Sequence, residues 1–99
     1  MADESRHWTF LTNHAHVLVC IARDSGMRMR DIAQAVGITE RAAQSILSDL
    51  ISEGYVTRTR VGRRNNYVIN PDKPLRHELE HERLVGELLG VLADESPRK

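Results

Sequence analysis

Cysteine and long apolar runs are scarce in this sequence, and each shortage excludes a class of protein. The single cysteine, Cys20, has no partner for an intrachain disulfide. The longest nearly apolar run, Ala15–Ala22, contains His16 and is far shorter than the ~20 residues that a membrane-spanning helix needs. The opening residues, Met1–Arg6, are acidic and lack the basic patch and apolar stretch of a secretory signal. We therefore expect a cytoplasmic protein.

The sequence also lacks the side-chain patterns that catalysis needs. It contains neither a glycine-rich phosphate-binding loop nor a Ser/His/Asp or Cys/His set that could supply a nucleophile. We therefore predict no enzymatic activity and no cofactor. With 99 residues, of which 40% are apolar and 28% charged, the chain has the size and composition of one globular domain.

The chain has no net charge, but its charges are unevenly distributed. Residues 1–71 contain nine basic and seven acidic residues, whereas residues 72–99 contain five basic and seven acidic residues. The segment Arg58–Arg64 holds four arginines and no acidic residue. This density is typical of an element that contacts phosphates, although an exposed edge strand protected by charge would have the same composition.

Three helices are predicted in the first half of the chain. The first begins near Thr12 or Asn13 and ends at Asp24-Ser25-Gly26; its apolar side contains Leu18, Ile21 and Ala22. Met27-Arg28-Met29 alternates and permits one short strand. The second helix covers about Arg30–Val36 and ends at Gly37. The third, capped by Thr39, runs to Ser52 with apolar residues at helical spacing: Ala43, Ile46, Leu47, Leu50 and Ile51.

A hairpin and a last helix are predicted to follow. Tyr55–Val61 and Asn66–Asn70 are rich in β-formers and are separated by Gly62-Arg63-Arg64-Asn65. After the prolines at 71 and 74, a helix is predicted from about Leu75 to Ala93. The fold class is therefore mostly α with a small β-hairpin, in the order α-α-α-β-β-α.

The second and third helices have the features of a helix-turn-helix. Two helices can cross steeply if the first is small at the crossing, here Ala33, and the turn contains a residue free to take positive φ, here Gly37. The third helix then has an outer face of side chains that read base edges and phosphates: Thr39, Arg41, Gln44, Ser45 and Ser48. Any amphipathic core helix also has a polar outer face, so the prediction of DNA binding depends on the turn and the arginine-rich hairpin together.

From Leu11 to Asn70 the chain resembles the winged helix-turn-helix transcriptional regulators, in particular the MarR and ArsR-type families. The similarity lies in Leu11-Thr12 with Val17-Leu18, in Gly37-Ile38-Thr39 before the third helix, and in Leu50 with Gly54-Tyr55-Val56 at the entry to the hairpin. The resemblance implies a repressor whose hairpin is a wing, with Arg63 and Arg64 on the minor groove or its phosphates. Arg58 and Arg60 are further candidates for DNA contact.

The last helix is predicted to mediate dimerisation. Its apolar stripe consists of Leu75, Leu79, Val85, Leu88, Leu89 and Leu92. A second copy could bury this stripe, and so could the first helix of the same chain. We divide the chain into a DNA-binding part, residues 1–73, and a dimerisation helix and tail, residues 74–99, within one domain. A twofold axis would place two third helices one DNA turn apart, ~34 Å.

His77 and His81, four residues apart on the predicted last helix, are weak candidates for metal ligands, because such a pair is usually a solvated face. No metal is predicted. The function predicted from the sequence is that of a homodimeric, sequence-specific transcriptional regulator that binds double-stranded DNA. A winged-helix module that binds proteins and not DNA, and a regulator that responds to a metal or ligand, remain alternatives.

Overall fold

The computed structural model describes residues 8–93, which form four helices and one two-stranded antiparallel sheet. The elements follow in the predicted order: α1 (Asn13–Arg23), α2 (Met29–Val36), α3 (Glu40–Ser52), β1 (Val56–Val61), β2 (Arg64–Ile69) and α4 (Val85–Leu92). The predicted fold class is confirmed. No helix in the described range is long and apolar enough to cross a membrane.

The three N-terminal helices pack around one core. Each contributes apolar residues at spacings of three and four: Val17, Leu18 and Ile21 from α1, Ile32 and Ala33 from α2, and Ala43, Leu47 and Leu50 from α3. Tyr55, Val56 and Tyr67 extend this core under the hairpin. The prediction that Ala22 belongs to the apolar side of α1 is wrong, because Ala22 is exposed.

The turn between α2 and α3 has the predicted geometry. Gly37 ends α2 in the left-handed conformation, with φ 88° and ψ 34°. The amides of Gly37 and Ile38 both donate to the carbonyl of Ala33, which satisfies the end of α2. Thr39 caps α3, because its side-chain oxygen accepts a hydrogen bond from the Ala42 amide at 3.0 Å.

The turn of the hairpin is tighter than predicted. Val61 pairs with Arg64, so Gly62 and Arg63 alone form the turn, and Arg64 and Asn65 belong to β2. Gly62 has φ 63° at the first turn position, where a two-residue type II′ turn requires glycine. The prediction of a four-residue turn over residues 62–65 is therefore wrong.

The short strand predicted at Met27-Arg28-Met29 is absent from the described chain, and α2 already begins at Met29. One backbone-to-backbone hydrogen bond joins this segment to the hairpin: the Tyr67 amide of β2 donates to the carbonyl of Ser25 at 2.9 Å. The turn between α1 and α2 therefore lies along the outer edge of β2 without forming a ladder.

The prediction of a long last helix is also wrong in its first half. Residues 75–84 form a loop that turns back on itself, so that Pro74 and Leu84 form a bridge and the Leu75 amide donates to the Arg83 carbonyl. Between residues 76 and 83 the only apolar side chain is Leu79, which is 90% exposed. A helix there would have no face to bury, so the chain makes a loop and α4 starts at Val85.

Candidate nucleic-acid interface

The polar side of α3 is exposed as predicted. Ala43, Leu47 and Leu50 face the core, and on the other side Arg41, Gln44, Ser45 and Ser48 are open to solvent. Gln44 and Ser48 are one helical turn apart and therefore lie on the same side of the helix. Thr39 is also exposed, but its side-chain oxygen is occupied by the cap of α3.

The hairpin is anchored at its base and projects arginines further out. Side chains alternate along a strand, so Arg58 and Arg60 share a face of β1 with the buried Val56. Arg58 lies opposite the buried Tyr67 in the register of the sheet. The core therefore fixes one end of this face, and the arginines lie on the part that extends beyond the core.

An open groove of about 700 Å³ lies between α3 and the hairpin. We call it the arginine groove. Gln44 and Ser48 contribute from α3, while Arg58, Arg63 and Arg64 contribute from the hairpin. Its lining, which lies wholly within residues 8–93, includes four arginines and no Asp or Glu. The zero net charge of the chain therefore conceals a strongly positive surface, which suits a phosphate backbone.

Four of the predicted contact residues lie outside the lining of the groove: Thr39, Arg41, Ser45 and Arg60. The first three belong to the beginning of α3, and Arg60 lies near the tip of the hairpin. Their side chains are exposed, so an extended duplex can reach them beyond the ends of the groove.

The fourth arginine of the groove was not predicted from the sequence. Arg28 is exposed at the N-cap position of α2 and lines the groove together with the hairpin arginines. A short strand was predicted at this position instead. The signal that could have identified Arg28 is its place directly before α2, the helix that crosses α3, because helix N-termini attract phosphates.

The hairpin arginines differ in their partners. Nη2 of Arg64 donates to the backbone carbonyl of Gly26 at 2.6 Å. The guanidinium group of Arg64 is therefore already paired with the backbone. In the part of the chain that the structure describes, the side chains of Arg58, Arg60 and Arg63 make no hydrogen bond or ion pair, so their guanidinium groups are available to a ligand.

Comparison with protein families agrees with this geometry. A family model described as winged helix-turn-helix DNA-binding matches residues 12–57, which contain α1, α2, α3 and the start of β1. The chain has a winged helix-turn-helix fold. The match supports a DNA-binding regulator and double-stranded DNA as its partner, and it does not single out the MarR or ArsR families. No curated protein matches the chain.

In this winged helix-turn-helix, α4 has two apolar faces. Val85 and Leu89 are buried against the chain's own core, and Leu92 on the same side is half-buried. Packing on α1, the alternative to dimerisation, therefore accounts for this side of α4. Leu84, Leu88 and Val91 follow at spacings of four and three on a second side, where Val91 is 75% exposed.

The other residues of the predicted dimer stripe lie outside α4. Leu75 is half-buried against the core, whereas Leu79 is exposed in the loop. His77 and His81 lie in the same loop, so the helical spacing that suggested a metal site is absent. Nδ1 of His77 accepts a hydrogen bond from the Leu79 amide. Among the described residues no three His, Cys, Asp or Glu side chains come together to hold a metal.

Proposed function

We propose that this chain is a sequence-specific transcriptional regulator that binds duplex DNA through α3 and the hairpin. The observation that carries the proposal is that Gln44 and Ser48 of α3 and the arginines of the hairpin line one groove. A reading helix and a phosphate-contacting wing must lie on the same side of a protein to contact one duplex. The family match to DNA-binding domains supports the same function.

In this proposal α3 enters the major groove and the hairpin lies on the flanking backbone or minor groove. Arg41 suits guanine, and Gln44 suits adenine, because each offers two hydrogen bonds to that base. The hydroxyls of Ser45 and Ser48 can donate or accept, so they adapt to bases or phosphates. The hairpin arginines supply affinity without sequence preference, and α3 supplies the preference.

The regulator acts as a homodimer in this proposal, through the second apolar side of α4. Leu84, Leu88 and Val91 form a stripe that the chain's own core leaves partly open to solvent. Two such stripes related by a twofold axis would cover each other. The dimer would present two copies of α3 to two half-sites, as the twofold symmetry of many operators requires.

By the resemblance to MarR and ArsR-type regulators, we further propose that the protein is a repressor that works in the cytoplasm. A match to a DNA-binding family favours a protein without enzymatic activity.

The salt dependence of DNA binding tests the proposal. Fluorescence anisotropy with a labelled random duplex, measured from 50 to 200 mM KCl, should show affinity that falls steeply with salt. Arg63→Ala should reduce the slope of log K against log salt by about 0.9 per protomer, one phosphate contact. Arg76→Ala is the matched control, because Arg76 is exposed and lines a different pocket from the arginine groove.

Two results would contradict the proposal. Wild-type protein without salt-dependent binding to any duplex would favour the protein-binding module instead. Equal slopes for wild type and Arg63→Ala, or an equal loss in Arg76→Ala, would remove the hairpin from the DNA interface.

Sedimentation velocity tests the homodimer. Val91→Glu places a charge in the proposed contact and should convert the dimer to a monomer. Val68→Glu is the matched control, because Val68 is also exposed but lies on β2. If Val91→Glu has the same mass in solution as wild type, either the dimer contact lies elsewhere or the protein forms no dimer.

One observation favours a regulator that also responds to a small apolar ligand. A second pocket of about 560 Å³ lies between α1, the end of α3 and residues 75–88, and its volume is within the range typical of ligand sites, ~300–1,000 Å³. Leu18, Leu50 and Leu88 are among its apolar lining residues, and the His14–Asp49 pair, with 2.8 Å between Nε2 and Oδ2, lies at its edge.

An apolar fluorescent dye tests this second candidate. The dye should gain fluorescence with wild-type protein and weaken its binding to DNA. Leu88→Gln should abolish both effects, whereas Leu79→Gln, the same change at an exposed residue outside the pocket lining, should preserve them. A dye that binds both variants equally would contradict the assignment of this pocket.

A further inference from the structure

We infer that Arg64, unlike its neighbour Arg63, is a positioning residue that holds the hairpin beside α3. The inference rests on the proposed DNA-binding function and assigns the two arginines different roles in it. Its basis is the hydrogen bond from Nη2 of Arg64 to the carbonyl of Gly26, at 2.6 Å. Gly26 lies in the turn between α1 and α2, 38 residues away in the sequence.

Two more hydrogen bonds join β2 to the same turn. The Tyr67 amide donates to the Ser25 carbonyl at 2.9 Å, and Oγ of Ser25 donates to Oδ1 of Asn66 at 3.0 Å. We call these two bonds and the Arg64–Gly26 bond the Ser25–Gly26 clamp. The turn itself is fixed, because Oδ1 of Asp24 accepts from the Gly26 amide at 3.0 Å.

The hairpin needs such a clamp because two strands alone are marginally stable. Its base is held by the buried side chains of Val56 and Tyr67, whereas residues 57–65 are all exposed. Arg64 is the first residue of β2 and directly follows the turn at the tip. Its bond is therefore the outermost link of the clamp, and it limits how far the tip can move away from α3.

The clamp pre-organises the arginines that remain available to DNA. Arg58, Arg60 and Arg63 lie on the same hairpin, and their side chains have no hydrogen-bonding partner within residues 8–93. A hairpin held at one angle presents them to phosphates without first losing conformational entropy. Arg64 contributes to affinity through this effect, because its guanidinium group is already bound to Gly26.

Hydrogen exchange in the free protein tests the clamp without DNA. In Arg64→Ala the Tyr67 amide should exchange about 2- to 10-fold faster than in wild type, the change expected when one hydrogen bond of this kind is lost. Arg64→Lys keeps a donor on a long stem and should restore slow exchange. Arg63→Ala, which removes the same charge one residue away, should leave the exchange of Tyr67 unchanged.

The salt dependence of binding then separates positioning from contact. Arg64→Ala should weaken binding several-fold at every salt concentration, because the angle of the hairpin that suits DNA becomes less populated. Its slope of log K against log salt should differ from that of wild type by at most roughly a third of the change that one lost phosphate contact causes. In Arg63→Ala the slope of log K against log salt should fall by about 0.9 per protomer. Equal slope losses in the two variants, or unchanged Tyr67 exchange in Arg64→Ala, would overturn the inference.

Asn66→Ala provides a second variant if Arg64→Ala fails to fold. It removes the bond to Ser25 without changing any charge. Faster Tyr67 exchange with weaker binding at an unchanged slope would support the clamp, and no change in exchange or binding would overturn it. If wild-type protein binds no duplex, the proposed function fails, and the exchange data still show whether Arg64 holds the hairpin.

Discussion

Replacing Gly37 by alanine tests the turn between α2 and α3 on which the whole reading of the fold depends. Gly37 has φ 88° and ψ 34°, and a Cβ atom added there meets no atom within 4 Å. The cost is therefore backbone strain alone, about 1–2 kcal/mol for an L-residue in the left-handed region. Reduced entropy of the unfolded chain offsets about 0.4–1 kcal/mol. We expect a net loss near 1 kcal/mol and a drop in Tm of about 4–8 °C.

The same substitution at two glycines of α4 provides two controls, in which the change in stability has a different physical cause from that at Gly37. Gly90 lies inside the helix with no atom within 4 Å of an added Cβ, so alanine should stabilise by about 0.5–1 kcal/mol. At Gly86 an added Cβ would lie 2.7 Å from Cβ and 2.9 Å from the carbonyl oxygen of Pro71. Forcing that contact costs about 1–3 kcal/mol, so Gly86→Ala should gain little or destabilise.

Urea denaturation followed by far-ultraviolet circular dichroism measures all three variants. The expected order of stability is Gly90→Ala above wild type and Gly37→Ala below it. A Gly37→Ala protein as stable as wild type would mean that the turn does not hold a left-handed residue, and the assigned helix-turn-helix geometry would be refuted.

Two further predictions concern helix ends. Thr39→Ala should destabilise by about 1 kcal/mol in urea denaturation because α3 loses its cap, and Thr39→Ser should retain wild-type stability; equal stabilities would contradict the cap. The Leu84 amide and then the charge of Arg83 lower the pKa of Glu87 below its ordinary value of 4.5, against the raising effect of desolvation. The ionised carboxylate therefore stabilises the start of α4 above pH 4.5, and this stability is lost as pH falls through the lowered pKa. The urea midpoint of wild type should fall more steeply in acid than that of Glu87→Gln, and parallel curves would contradict the assignment.

The helical half of the fold could be predicted because its signals are local. Gly37 and Thr39 mark the turn and the cap, and the apolar spacing of α3 determines which side is buried. The polar residues on the opposite side, Gln44 and Ser48 among them, follow from the same period. These predictions needed no knowledge of how the helices pack.

The errors arose where structure depends on contacts distant in sequence. Leu75 and Leu79 have helical spacing, but Leu79 has nothing to pack against, so the predicted helix is replaced by a loop. The hydrogen bond from Arg64 to Gly26 spans 38 residues, and no local pattern announces it. Arg28 enters the arginine groove only because α2 crosses α3 in the folded chain.

The most direct test of the central claim is to map the bound surface by NMR. Addition of a short duplex to isotope-labelled protein should shift the backbone amides of Gln44, Ser48, Arg58 and Arg63 most strongly, because their side chains line the arginine groove. Shifts confined to His14, Glu53 and Leu88, on the side of the apolar pocket, or no shifts at all, would contradict it.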